Sequence, residues 1–146
     1  MEMIMAEYGI KLLLGVLLFS CAIQDILKKK IYLWTIGMGG VITILCLPFC
    51  TGLPVLDRIG GLIIGLCVIV LSIITAGKIG AGDGALLCIT GVILGFWGNL
   101  ELFGASLFLA AVISIFLLAL RWANRKMSIP FVPFLFIGYV ILNFSA

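Results

Sequence analysis

The chain has 146 residues, 64% of them apolar and 10% charged, where soluble domains run near ~45–50% apolar and ~25% charged. This composition excludes a soluble globular domain of any size and points to a membrane protein, since spans of about 20 apolar residues leave room for six or seven crossings and little else. The complete lack of histidine also excludes Ser-His and Cys-His nucleophile pairs, imidazole metal sites and His-ligated haem, which leaves carboxylates, thiols and backbone to carry any chemistry.

Apolar runs broken by charge, glycine and proline predict six spans, near residues 4–24, 31–50, 58–76, 84–98, 100–120 and 129–144. The chain opens with acidic Glu2 and Glu7 in place of a basic leader region, and Leu18-Phe19-Ser20-Cys21 is a poor lipoprotein-processing site. The first run is therefore expected to stay as a membrane helix. All connections are short. Lys28-Lys29-Lys30 follows the first span, and Thr51-Gly52-Leu53-Pro54 with Asp57 and Arg58 follows the second. Gly77-Lys78-Ile79-Gly80-Ala81-Gly82-Asp83 follows the third, Gly98-Asn99-Leu100-Glu101 makes a tight hairpin after the fourth, and residues 121–128 join the last two. No repeat or low-complexity segment interrupts this order. The expected fold is an all-α polytopic bundle of six transmembrane helices, with residues 1–146 as one membrane-embedded domain.

Nine Lys and Arg against six Asp and Glu give a net charge of +3, which in such a chain concerns orientation and lipid headgroups before nucleic acid; no nucleic-acid partner is expected. If the six spans alternate, Lys28, Lys29, Lys30, Lys78, Arg121, Arg125 and Lys126 share one side, and only Lys11 and Arg58 do not. Cytoplasmic loops collect cations, so that side is expected to be cytoplasmic and both termini outside. Trp34 and Trp122 toward one boundary, and Tyr8, Trp97 and Tyr139 toward the other, suit an aromatic belt. The five cysteines (Cys21, Cys46, Cys50, Cys67, Cys88) lie in apolar runs without zinc-site spacing; they read as small packing residues. Gly61 with Gly65, and Gly91 with Gly95, permit close helix approach, inside the bundle or between copies.

The acids are the informative residues, because a carboxylate at membrane depth is costly unless paired or used. Glu2, Glu7, Asp57 and Glu101 fall at outer ends and loops, where water solvates them. Asp25 and Asp83 fall at the same level, at the cytoplasmic ends of the first and fourth spans. Taken singly, Asp25 could offset Lys28 and Lys29 one turn on, and Asp83 could cap a helix. Facing each other, the two would share one proton. One would then take a proton from a water held between them while the other polarises a scissile carbonyl. That chemistry needs no metal, cofactor or histidine.

Glycine at positions 80, 82 and 84 around Asp83 frees the backbone and lets another chain come close, so an extended peptide could lie along Gly80, Gly82 and Gly84 through main-chain hydrogen bonds. A phosphate-cradling loop is disfavoured, since no Gly-Lys-Ser/Thr ending follows and an aspartate there would repel phosphate.

These residues resemble the type IV prepilin peptidases, membrane aspartyl proteases of the GxGD class. Gly80-Ala81-Gly82-Asp83 matches the GxGD element and is followed by Leu86-Leu87. Asp25-Ile26-Leu27-Lys28-Lys29-Lys30-Ile31 is similar to the first-aspartate element, and Ile129-Pro130-Phe131-Val132-Pro133-Phe134 to the proline-containing motif opening the last helix. The three occur in the family's order and cover nearly the whole chain. The resemblance implies that Asp25 and Asp83 form the catalytic pair of a cell-membrane endopeptidase. It would cut prepilin or pseudopilin precursors at the cytoplasmic face, after a glycine ending a basic leader, for type IV pilus assembly or protein secretion.

The chain departs from the family pattern in three places. Ile31-Tyr32-Leu33 stands where Ile-Pro-Asn is usual, Ala85 where a lysine is common, and the CxxC-bearing insertion of the bifunctional methylating members is missing. A peptidase-only form is expected, without zinc or N-methyltransferase activity. The seven cations of the cytoplasmic face would repel a basic leader unless anionic lipids, or a carboxylate on the substrate, offset them. Two alternatives remain open: an inactive relative serving as an assembly scaffold, and a proton-coupled transporter using the two acids as a relay. The second is weakened by the lack of an acid at mid-membrane.

Overall fold

A computed structural model of the chain describes residues 1–49, 52–122, 124, 126 and 128–145; Cys50, Thr51 and Arg125, named above, lie outside the described residues. Every regular element among them is helical. The order is α1 (Glu2–Lys28), α2 (Leu33–Cys46) with a 3₁₀ turn at Leu47–Phe49, α3 (Val55–Ile74), α4 (Ala81–Ala119) and α5 (Val132–Ser145). By length and composition α1, α3 and α4 can cross a membrane, while α2 with its turn and α5 are shorter apolar helices. Large apolar side chains such as Leu12, Val16, Ile63 and Ile73 point outward, the surface of a membrane-embedded bundle.

Local chemistry sets the helix ends. Lys29, in the left-handed region at φ 52°, closes α1 with its N–H on the Asp25 carbonyl. Pro54 precedes α3, where its missing N–H costs nothing. At the other end of α3, Ala76 (φ 53°) and Gly77 (φ 81°) turn the chain, and the Gly77 N–H returns to the Ser72 carbonyl at 2.9 Å, a closure of Schellman type.

The departure from expectation is α4. Its 39 residues would extend about 58 Å if straight. Instead Gly95 adopts φ 79°, ψ −176°, and the Asn99 side chain reaches the Leu87 carbonyl at 3.0 Å and the Thr90 hydroxyl at 2.7 Å. Leu87 and Asn99 would stand about 18 Å apart along a straight helix, so the chain folds back at Gly95 into antiparallel limbs, 81–94 and 96–119. The reversal expected at Gly98-Asn99-Leu100-Glu101 thus occurs three residues earlier. Its cause is visible: Asp57 accepts the Phe96 N–H at 3.2 Å, capping the second limb, and a Cβ at position 95 would come 2.3 Å from Asp57 Oδ2. Asp57 is accordingly half-buried and structural, not merely solvated. Asn99, read as a turn residue, is fully buried and also donates to the Gly61 carbonyl at 3.0 Å.

The core joins Leu14, Leu18 and Cys21 of α1 to Leu86, Leu87 and Leu102 of α4 and Leu135 of α5. Between α3 and α4 the backbones nearly touch: a Cβ on Gly61 would lie 2.3 Å from the Gly91 carbonyl oxygen, and one on Gly65 2.4 Å from the Cys88 nitrogen. Gly61, Gly65 and Gly91 therefore serve packing within the bundle, whereas Gly95 makes the turn. Tyr139 is buried and donates to the Lys11 carbonyl at 2.7 Å, so it belongs to the core and not to the aromatic belt.

Candidate active site

Asp25 sits in the last turn of α1, 8% exposed. Its Oδ2 accepts the backbone N–H of Val132, the first residue of α5, at 3.2 Å. The segment Ile129–Phe134 acquires a mechanical meaning from this contact. The Phe131 carbonyl accepts the Phe134 and Leu135 N–H groups at 3.0 and 3.2 Å, and Pro133 brings no N–H at all. Val132 thus offers the N–H that the start of α5 must place elsewhere, and the Asp25 carboxylate takes it. A helix N-terminus carries partial positive charge and favours such a partner.

Asp83 is the third residue of α4 and half-buried. Its N–H returns to the Gly80 carbonyl at 3.2 Å. The irregular backbone expected over residues 77–83 ends at Gly80; Asp83 itself is helical, in a first turn where an acid is electrostatically suited. The connection is tethered by the buried Ser72 hydroxyl, which donates to the Ile79 carbonyl at 2.5 Å.

Both aspartates line a single cavity of about 610 Å³, and each stands within electrostatic reach of the other. The second limb of α4 supplies Phe103 and Leu107 to its wall, and the approach to α5 supplies residues 128–131. Lys29, Lys30 and Lys78 also line it, a cationic rim beside two acids.

The glycines divide by role. Gly80 and Gly82 line the cavity. A Cβ on Gly80 would come 2.9 Å from Asp83 Oδ2, and one on Gly82 3.2 Å from Ile31 Cδ1, so the small residues keep room for the carboxylate and for the α1–α2 connection. Gly84 is placed differently from the expected peptide contact. It is buried against α3, where a Cβ would stand 2.6 Å from Ile69 Cγ1 and 2.9 Å from the Ile69 nitrogen.

Sequence reasoning missed several supporting groups. The Gln24 amide donates to the Thr35 hydroxyl at 3.0 Å, and its Oε1 accepts the Tyr32 N–H at 3.4 Å, clasping the entry of α2 to the end of α1 beside Asp25. Lys28 adds a hydrogen bond to the Tyr32 hydroxyl and lies 4.8 Å from its ring centroid. Two polar residues in apolar helices, at matching distances from one connection, were the available signal. The Val132 N–H had none, because a backbone donor leaves no mark on composition.

Two carboxylates from separate helices, in a cavity with a mouth and no imidazole, can bind a water and pass a single proton between them. Comparisons of the chain with family models, curated proteins and solved structures return no match, so this geometry and the sequence motifs carry the functional argument.

Proposed function

We propose that the chain is a membrane aspartyl endopeptidase of the GxGD kind that removes the leader from type IV prepilin-like precursors. The observation that carries the reading is that Asp25, the Gly80–Asp83 element and residues 129–131, far apart in sequence, line the same cavity. All three motifs of the resemblance contribute to that lining.

In this reading a water lies between the two carboxylates. Asp25, already accepting an N–H from α5, suits the charged role, and Asp83 the proton-carrying one. Asp25 takes a proton from the water as its oxygen attacks the scissile carbonyl carbon, while Asp83 gives its proton to the carbonyl oxygen. The tetrahedral intermediate then collapses. A proton passes to the amide nitrogen, the C–N bond breaks, and the products are a new carboxyl group, a free amine and a dyad again holding one proton.

The reading includes six crossings, with the two limbs of α4 counted separately. The cavity end faces the cytoplasm in this reading, because Lys29, Lys30 and Lys78 line the cavity, Lys28, Arg121 and Lys126 fall on the same side if the spans alternate, and cytoplasmic loops collect cations. The test is incubation of the purified full chain, in detergent or vesicles, with prepilin-type precursors, followed by product mass. Cleavage after the glycine that ends the leader is expected. Several precursors left intact would contradict the peptidase and favour an assembly scaffold.

A further inference from the structure

The connection from α1 to α2, residues 29–32, runs along the cavity that holds the two aspartates, and Lys29, Lys30 and Ile31 form part of its wall. A side chain of α1 holds this connection. Half-buried Gln24 accepts the Tyr32 N–H on Oε1 at 3.4 Å and donates from Nε2 to the Thr35 hydroxyl at 3.0 Å. Both ends of the amide are thereby satisfied, which offsets the cost of withdrawing it from water. The contact at Tyr32 needs a backbone N–H, which the proline usual at that place in the resembling family would not supply. From Tyr32 the line of contacts continues. Ile31, the preceding residue, lies against Gly82, where a Cβ would stand 3.2 Å from Ile31 Cδ1 and 3.6 Å from Ile31 Cβ. Gln24 directly precedes Asp25, and Gly82 directly precedes Asp83, so Gln24, Tyr32, Ile31 and Gly82 link the element of one acid to that of the other. The Val132 N–H ties Asp25 to α5, and Gly84 seats the start of α4 on α3. Neither contact reaches from one aspartate's element to the other's.

We propose, on the peptidase reading, that Gln24 is a positioning residue: by holding Tyr32, and with it Ile31 against Gly82, it sets the spacing of the Asp25 and Asp83 carboxylates. The pair works only while both acids reach one water and one scissile carbonyl, and a misplacement of about 1 Å can cost about a hundredfold in rate. Gln24 touches neither water nor peptide in this scheme, so its loss falls on kcat and spares KM.

The test is steady-state cleavage of a prepilin-type precursor by the purified full chain, Gln24→Leu, Thr35→Val and Thr35→Ser, each shown by its melting curve to be folded. At unchanged KM, kcat is expected to fall about tenfold in Gln24→Leu and Thr35→Val, the signature of a contact used only in the transition state. Thr35→Ser keeps the hydroxyl and should cleave like the wild type, and Thr35→Val keeps the test open should Gln24→Leu fail to fold. A second readout needs no cleavage. In a cysteine-free background, Asp25→Cys and Asp83→Cys are joined by a short bifunctional thiol reagent, and adding Gln24→Leu or Thr35→Val should slow the joining about fivefold as the spacing loosens. An unchanged kcat in the folded variants, or an unchanged cross-linking rate, would overturn the proposal. A wild-type chain that cuts no precursor would overturn the peptidase reading instead, and the cross-linking rate then decides alone whether Gln24 spaces the two acids.

Discussion

The hydrogen bond from the Val132 N–H to Asp25 Oδ2 ties a proposed catalytic group to the start of the last helix, so Asp25 has a structural duty that can be separated from a chemical one. An asparagine keeps an oxygen that accepts the N–H, whereas alanine does not. Asp25→Ala is expected to lower stability by about 1–2 kcal/mol, the scale of a lost cap, while Asp25→Asn melts close to wild type; thermal unfolding in detergent reads both. Equal melting of the two variants would show that the contact contributes nothing. Gly95 offers a second comparison. At φ 79°, ψ −176°, and with Asp57 Oδ2 2.3 Å from where a Cβ would stand, Gly95→Ala should cost more than about 2 kcal/mol. Gly37, which has open space around a Cβ, should accept alanine with no loss and gain up to about 1 kcal/mol of helix stability. Sequence reading placed the reversal three residues late because Gly98, Asn99 and Glu101 look like turn chemistry. A buried polar partner for Asn99 and a cap for Phe96 from a residue 39 positions back are tertiary facts, and they moved the turn.

At the scale of elements, the α3–α4 pair holds the Asp83 end in place. Its backbones meet at Gly61 and Gly91, and at Gly84 against Ile69, with buried Asn99 tying Gly61, Leu87 and Thr90 together. Gly61→Val forces backbone from backbone and should prevent recovery of folded protein, as judged by monodispersity in detergent. Asn99→Leu removes the side-chain donations to the Gly61 and Leu87 carbonyls and the acceptor of the Thr90 hydroxyl, and should cost about 1–3 kcal/mol; an unchanged melting temperature would contradict the clasp. The all-helical, apolar character of the chain was legible, because hydropathy reports where a helix can meet lipid, and α1, α3 and α4 are long and apolar enough to cross a membrane. Their ends were less so: α1 and α3 begin before the apolar runs suggest, and α5 begins only after Phe131. Caps, αL closures and the Asp25 contact decide those limits, and none of them registers as hydrophobicity. The glycines around Asp83 were legible as a group but not by role, since Gly84 packs helices while Gly80 and Gly82 border the cavity.

At the scale of the molecule, the placement of charge predicts that the cavity end faces the cytoplasm. In a cysteine-free background, Lys78→Cys should react with a membrane-impermeant thiol reagent only from the cytoplasmic side of oriented vesicles; labelling from the other side would invert the topology. The candidate site was readable in advance because its two acids stand out against an apolar chain and share a level, and the structure does bring Asp25 and Asp83 to one cavity. The central claim, that these two carboxylates are the catalytic pair, is tested most directly by comparing precursor cleavage by the wild-type chain, Asp25→Asn and Asp83→Asn. Each protein is first shown by its melting curve to be folded. The account predicts that the wild type shortens the precursor and that both folded variants leave it intact; cleavage by either variant would contradict it.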